Sequence, residues 1–298
     1  NGAVYSLPSV LEDKADAAVL NYVAPWATCW KPTKTGSEAT HGALLIARCA
    51  TSRRPYLRSR ASYHGWHLPW QPDALDARWY DDGQPMGGLA EGCCAVIVEP
   101  PRWTECSVAW LQDCRDEATR AGALLVFDEM IMGGRWALGG ATEYFGIIPD
   151  LACFGKALGN GAPIAFIVGR EALAEHGEMI SGTYSGEAAA LAALIETIRV
   201  YTSEPVIETL WARGRQLQRG LMSVCAGYSW AVPEGAPVHQ RIRFDTEARG
   251  HRFSAEMVKR GILWHPQVTN VMAAHTAADI ERVVMAAESS LKVMAAEI

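Results

Sequence analysis

Four short apolar runs divide the first two-thirds of the chain: Ala95-Val96-Ile97-Val98, Leu124-Leu125-Val126-Phe127, Leu151-Ala152-Cys153-Phe154 and Ile164-Ala165-Phe166-Ile167-Val168-Gly169. None alternates apolar with polar residues, so each reads as a strand buried on both faces, as in a parallel sheet. Between and around them apolar residues recur at helical spacing. Val108, Leu111, Cys114 and Ala118 place one face on a helix over 103–121, closed by Gly122. Val10, Leu11, Ala15, Ala18, Val19 and Tyr22 predict a helix over 10–23, ended by Pro25, and Ala43, Leu44, Ala47 and Ala50 predict another over 41–53. A further helix is expected over 188–201. Residues 68–92, rich in Pro, Asp and Gly, read as irregular. Strand, helix and strand in alternation predict a parallel α/β sheet with right-handed crossovers. From about Ser203 the pattern changes. A helix over 204–226, a strand-like stretch over 240–244, a helix near 253–260 and a last amphipathic helix over 277–296 make a smaller α+β segment. Two domains are expected, 1–202 and 203–298.

Composition narrows the function classes. The chain has 298 residues, 49% hydrophobic and 20% charged, which is enough for a sizeable core. A net charge of -6 without a basic cluster argues against nucleic acid as a partner. The eight cysteines form no C-x-x-C pair, which fits a reducing cytoplasm better than a zinc ribbon or a disulfide framework. No apolar run approaches a membrane span and no signal peptide is visible, so a cytoplasmic protein with no membrane partner is expected.

Candidate chemistry lies at the ends of the apolar runs, where an open parallel sheet binds ligands. The Leu124 run delivers Asp128 and Glu129, the Leu151 run delivers Gly155 and Lys156, and the Ala95 run delivers Glu99 and Pro100. A partly desolvated Lys is a candidate Schiff-base nucleophile. An Asp facing it holds a ring nitrogen protonated, as an electron-sink cofactor requires. Taken singly, the same residues read as a loop-capping Asp and a solvated Lys. Thr35-Gly36-Ser37 precedes a helix, which suits either a phosphate at the helix N-terminus or a simple N-cap. His64 and His67 lack a third metal ligand at sensible spacing, so no metal site is expected and a structural histidine is the better reading. Met130 reads equally as core. No Arg can be placed as a carboxylate clamp, with Arg135, Arg241 and Arg243 as candidates.

The ordered set Asp128-Glu129, Gly134-Arg135, Pro149-Asp150 and Gly155-Lys156 through Gly159, Gly161 and Pro163 resembles the class III aminotransferases. These are fold-type I pyridoxal-phosphate enzymes that include glutamate-1-semialdehyde aminomutase. The resemblance implies a large, mostly parallel sheet domain and a small C-terminal α+β domain. It implies pyridoxal 5'-phosphate as cofactor, held through a Lys156 Schiff base, with Asp128 on the pyridine nitrogen. Thr35, Gly36 and Ser37 would hold the phosphate, and Tyr63 and Met130 would pack on opposite ring faces. His64 would support the site from behind, and Glu99 would stand on the cofactor side of the sheet. Thr183, from the loop Ser181-Gly182-Thr183-Tyr184-Ser185-Gly186-Glu187, would reach the partner's cofactor phosphate in a homodimer. Ala274-His275-Thr276 with Asp279-Ile280 extends the resemblance into the C-terminal segment. The activity implied is amino transfer from an amine or amino-acid donor to a carbonyl acceptor. Two alternatives stay open: an intramolecular aminomutase, and a cofactor-binding homologue without turnover. Three departures are visible. Gly134 and Arg135 are adjacent where the family has one residue between them. Glu187 stands where the aminomutases have Asn. Only 34 residues precede Thr35, where typical members carry a much longer segment.

Overall fold

The computed structural model describes residues 9–100, 107–267 and 269–296. The described residues divide into two compact units, one ending at Glu204 and one beginning at Pro205.

In the first unit the elements follow as α1 (Val10–Ala18), β1 (Cys29–Thr33), α2 (Gly36–Thr51), β2 (Tyr56–Ser59), β3 (Ala77–Tyr80), β4 (Ala95–Val98), α3 (Val108–Ala121), β5 (Leu124–Asp128), α4 (Gly140–Phe145), β6 (Leu151–Phe154), β7 (Ala165–Gly169), α5 (Glu171–His176) and α6 (Ala188–Ser203). The strands form one seven-stranded sheet in the order β3-β2-β4-β5-β6-β7-β1. The five from β3 to β6 run parallel. Only β7 is reversed, antiparallel to both β6 and β1.

The apolar runs are continuous because both faces of the sheet are covered. Successive side chains on a strand point to opposite faces, and here each face has its own core. Leu125, Phe127, Ala152 and Phe154 pack with residues of α1, α3 and α6. Val126, Leu151 and Cys153 pack with Ala43, Leu44 and Ala47 of α2. Phe127 has no exposed surface, so truncating it to Ala costs about 3–5 kcal/mol.

Several element ends differ from expectation for local reasons. The first helix is α-helical to Ala18 and continues through a wider turn over Val19–Val23, closed by Ala24 N–H on Val19 O at 2.9 Å. Helix α2 starts at Gly36, five residues earlier than periodicity places it, because Thr35 and Glu38 cap each other reciprocally. The stretch expected to be irregular holds β3, which pairs with β2. Arg58 hides β2 from a hydrophobicity reading. It is buried, donates to Trp70 O and Ser62 O, each at 3.0 Å, and its guanidinium lies 4.8 Å from the Trp79 ring centroid. Burial of a charge demands such partners. The expected first turn of the 103–121 helix falls partly outside the described residues, and α3 begins at Val108.

The second unit contains α7 (Val206–Cys225), β8 (Ala231–Ala236), β9 (His239–Phe244), α8 (Glu247–Lys259), β10 (Thr269–Asn270) and α9 (Ala277–Ala295). Its antiparallel sheet runs β10-β9-β8. Leu217, Leu221, Phe253, Met257, Ile280 and Leu291 make its separate core.

Candidate active site

The C-terminal ends of β5 and β6 open onto a cavity of about 290 Å3. It is lined by Lys34, Gly36, Ser37, Thr40, Tyr63, His64, Gly65, Asp128, Met130, Lys156 and the segment Ala162–Ala165. Seven of the ten residues singled out in the sequence therefore meet in one place: Gly36, Ser37, Tyr63, His64, Asp128, Met130 and Lys156.

Asp128 is the last residue of β5 and is 2% exposed. Met130 N–H donates to its Oδ1 at 3.1 Å, and His64 Nδ1 lies 2.8 Å from its Oδ2. Burial without these partners would be costly for a carboxylate. The His64 ring is itself buried, tilted against Trp70 with centroids 5.3 Å apart, and its carbonyl accepts from the Thr40 hydroxyl on α2. Asp128 is thus fixed from two elements.

The neighbouring Glu129 faces the scaffold. Its carboxyl accepts from Ala141 N–H at 3.0 Å, Thr142 N–H at 2.8 Å and the Thr142 hydroxyl at 2.8 Å, which pins the start of α4. Complete burial outweighs these three bonds and raises its pKa to about 7. Of the two adjacent carboxylates, only Asp128 lines the cavity.

Lys156 follows β6 and carries a positive φ of 44°. A non-glycine residue in that region costs on the order of 1–3 kcal/mol and persists only where its surroundings impose it. The preceding Gly155 is one such constraint, since a Cβ there would come within 2.9 Å of Met130 Sδ. Met130 therefore sits hard against the backbone that presents Lys156. Across the cavity, Gly65 has φ +109° and a Cβ on it would lie 2.8 Å from Ser37 Cα. Only glycine lets the Tyr63–Gly65 loop approach the N-terminus of α2 so closely.

The other three expected residues lie outside the lining. Thr35 is the N-cap of α2: its hydroxyl accepts from Glu38 N–H at 3.2 Å, and its own N–H donates to Glu38 Oε2 at 2.9 Å. The positions of that loop that line the cavity are accordingly Gly36 and Ser37. Glu99 is buried and accepts from Tyr63 N–H at 3.1 Å, so it holds the loop that carries Tyr63 and His64. Thr183 is exposed in the turn before α6. None of Arg135, Arg241 and Arg243 lines the cavity. Arg241 and Arg243 both pair with Glu234 in the second unit.

Lys34 was not anticipated. Its ammonium lies 3.1 Å from Glu187 Oε2. Glu187 caps α6, and the Ala189 N–H bond followed by Lys34 holds its carboxyl below the ordinary range. The sequence signal was a single cation one residue before Thr35.

A larger cavity of about 950 Å3 lies within the second unit, walled by residues such as Leu217, Ile262, Leu263 and Trp264. Its wall also carries His265, His275 and Asp279, but the residues singled out in the sequence converge on the smaller cavity. Among the described residues no group of three or more His, Cys, Asp or Glu is placed to hold a metal, and no helix is long and apolar enough to cross a membrane.

Known proteins share this fold. The FumI protein of Sphingopyxis sp. MTA144, solved in its PLP internal aldimine form, superposes with a TM-score of 0.91 at 25% identity, covering 99% of this chain and 78% of that one. The aminopentol aminotransferase of Sphingopyxis macrogoltabida is 30% identical over 83% of this chain, which spans 65% of that protein's length. The glutamate-1-semialdehyde 2,1-aminomutase of Thermomicrobium roseum is 31% identical over 86% of this chain and 72% of that protein. The family profile for aminotransferase class-III matches residues 88–277. With the strand-end Asp128 and Lys156 in one cavity, the fold and these likenesses make the chain a member of the class III aminotransferases, the pyridoxal-phosphate enzymes of fold-type I.

Proposed function

We propose that the protein moves an amino group from an amine or amino-acid donor to a carbonyl acceptor, with Lys156 and Asp128 as catalytic residues. The observation that carries this reading is the convergence of Lys156 and the buried Asp128 carboxylate on one cavity.

The residues present fit pyridoxal 5'-phosphate. Gly36 and Ser37 open a 16-residue helix, whose first N–H groups have no carbonyl partner within the helix and whose dipole end is positive, as a phosphate requires. Asp128 supplies a carboxylate for the ring nitrogen. Tyr63 and Met130 supply an aromatic and an adaptable apolar surface for the ring faces. When bound, the cofactor supplies an electron sink for a carbanion next to the donor nitrogen.

The chain's own groups do the rest. Lys156 Nζ would hold the cofactor and, when free, would carry the proton from the donor carbon. The Asp128 carboxylate holds a proton at the ring nitrogen and so favours the charge that develops in the transition state. With Nδ1 as the donor, His64 keeps Asp128 Oδ2 oriented. Glu99 acts at one remove, by holding the Tyr63 backbone. The exposed Thr183 belongs, in this reading, to the site of a second copy in a homodimer. The seven described cysteines are all free thiols, which supports a cytoplasmic setting.

An intramolecular aminomutase is the second reading, favoured by the 31% identity to the Thermomicrobium roseum enzyme. Mass analysis of products from a panel of amine donors, with and without a separate carbonyl acceptor, decides among the readings. An aminated acceptor that forms only when both are supplied is expected. Isomerised donor without acceptor would establish the aminomutase, and no conversion of any donor would leave only cofactor binding.

A further inference from the structure

The ion pair at the cavity wall has a definite anchorage. Lys34 Nζ and Glu187 Oε2 are 3.1 Å apart although 153 positions separate them in sequence. Their side chains are only 18% and 24% exposed. Glu187 is fixed by its own helix, accepting from Ala189 N–H at 2.6 Å and Ala190 N–H at 3.3 Å. The Lys34 backbone is fixed as well, its N–H donating to Glu38 Oε2 at 2.7 Å. Lys34 is therefore held at its backbone by Glu38 and at its ammonium by Glu187, and it is one of the residues that line the cavity.

A lysine ammonium carries three donors, and Glu187 accounts for one of them. Gly36 and Ser37, two and three residues further on, line the same cavity at the positive end of α2. Lys34 adds a full charge to a wall that already carries partial positive charge. While no anion is present, Glu187 balances that charge, so the wall does not have to hold an uncompensated cation. Such an arrangement is ready-made for a dianion.

We propose that Lys34 is a ligand of the cofactor phosphate, positioned by Glu187. This rests on the reading of the cavity as the pyridoxal-phosphate site. The other anion that could enter is a donor carboxylate. The phosphate is favoured because Lys34 and the first turn of α2 belong to one short segment and act on one end of the cavity.

The test compares pyridoxal 5'-phosphate with pyridoxal, which lacks the phosphate, by equilibrium titration of cofactor-free protein. Lys34→Gln should bind pyridoxal 5'-phosphate roughly ten- to hundredfold more weakly, the worth of a charge-assisted hydrogen bond. Its affinity for pyridoxal should stay within about twofold of the parent, since that contact is absent from both. Lys34→Arg should recover most of the loss, because the charge is kept. Glu187→Ala, which takes away the partner that positions Lys34, should weaken pyridoxal 5'-phosphate binding by less than Lys34→Gln does and leave pyridoxal within about twofold of the parent; an unchanged affinity for the phosphorylated cofactor would remove Glu187 from the proposal. Equal losses for both ligands would overturn the proposal, as would an unchanged cofactor affinity in Lys34→Gln accompanied by a raised donor KM, the mark of a carboxylate contact. If the parent binds neither ligand, the reading of the cavity itself fails.

Discussion

At the scale of single residues, the site separates two adjacent carboxylates by environment. Asp128 and Glu129 leave β5 together, yet one meets His64 and the cavity while the other meets the start of α4. A general rule about strand ends identified the pair in the sequence but not the division of labour, which depends on helix α4 lying beside Glu129. Lys156 and Asp128 were legible because each closes an apolar run. Lys34 was not, since its meaning comes from Glu187, far away in sequence. The proposed role of Asp128 predicts that Asp128→Asn keeps the fold and the cofactor but loses most of the turnover. An amide cannot hold a proton at the ring nitrogen by charge, and transition-state stabilisation of this kind is typically worth a factor of about 100–1000 in rate. Steady-state kinetics alongside the cofactor absorbance check it. An unchanged rate would remove Asp128 from the mechanism.

At the scale of elements, the fold was most readable where burial is symmetric. The runs at β4, β5, β6 and β7 are apolar because both sheet faces are covered, and all four were found. β2 escaped because buried Arg58 interrupts it, and β1 because Lys31 and Pro32 break its run; a proline is tolerated there since β1 is an edge strand. Capping moved the helix starts: Thr35 begins α2 early, and Thr246, accepting from Arg249 N–H at 3.3 Å, begins α8 six residues before its apolar face becomes visible. The Glu129 contact with α4 has a pH signature. Its folded pKa of about 7 lies above the ordinary glutamate value of 4.5, so the folded chain binds the extra proton. Its contribution to stability is therefore fully present below about pH 4.5 and is lost as pH rises through about 7. Glu129→Gln removes the titration but sets an amide N–H2 against the Ala141 or Thr142 donors, at a cost on the order of 1–3 kcal/mol. The variant should be the less stable at pH 5, with the gap narrowing by pH 8. Urea midpoints across that range test this; a gap that stays constant would contradict it.

At the scale of the whole molecule, the alternation of apolar runs with helical periodicity was enough to predict a mostly parallel α/β sheet followed by a smaller α+β segment. The sheet's two faces and the strand order could not be read, because order depends on which helix crosses which face. The order matters to function: it places β5 and β6 side by side, so that Asp128 and Gly155-Lys156 leave the sheet as neighbours. The proposed homodimer belongs to this scale too. Sedimentation of the protein with cofactor should give a dimer, and Thr183→Ala should weaken cofactor binding. A catalytically competent monomer would refute the role given to Thr183. The central claim, that Lys156 holds the cofactor in this cavity, has the most direct test. The protein with pyridoxal 5'-phosphate is reduced with borohydride, digested, and searched by mass spectrometry for the residue that carries the cofactor. The account predicts a single labelled lysine, Lys156, and no label in Lys156→Ala; a label on another lysine, or none in the parent, would contradict it.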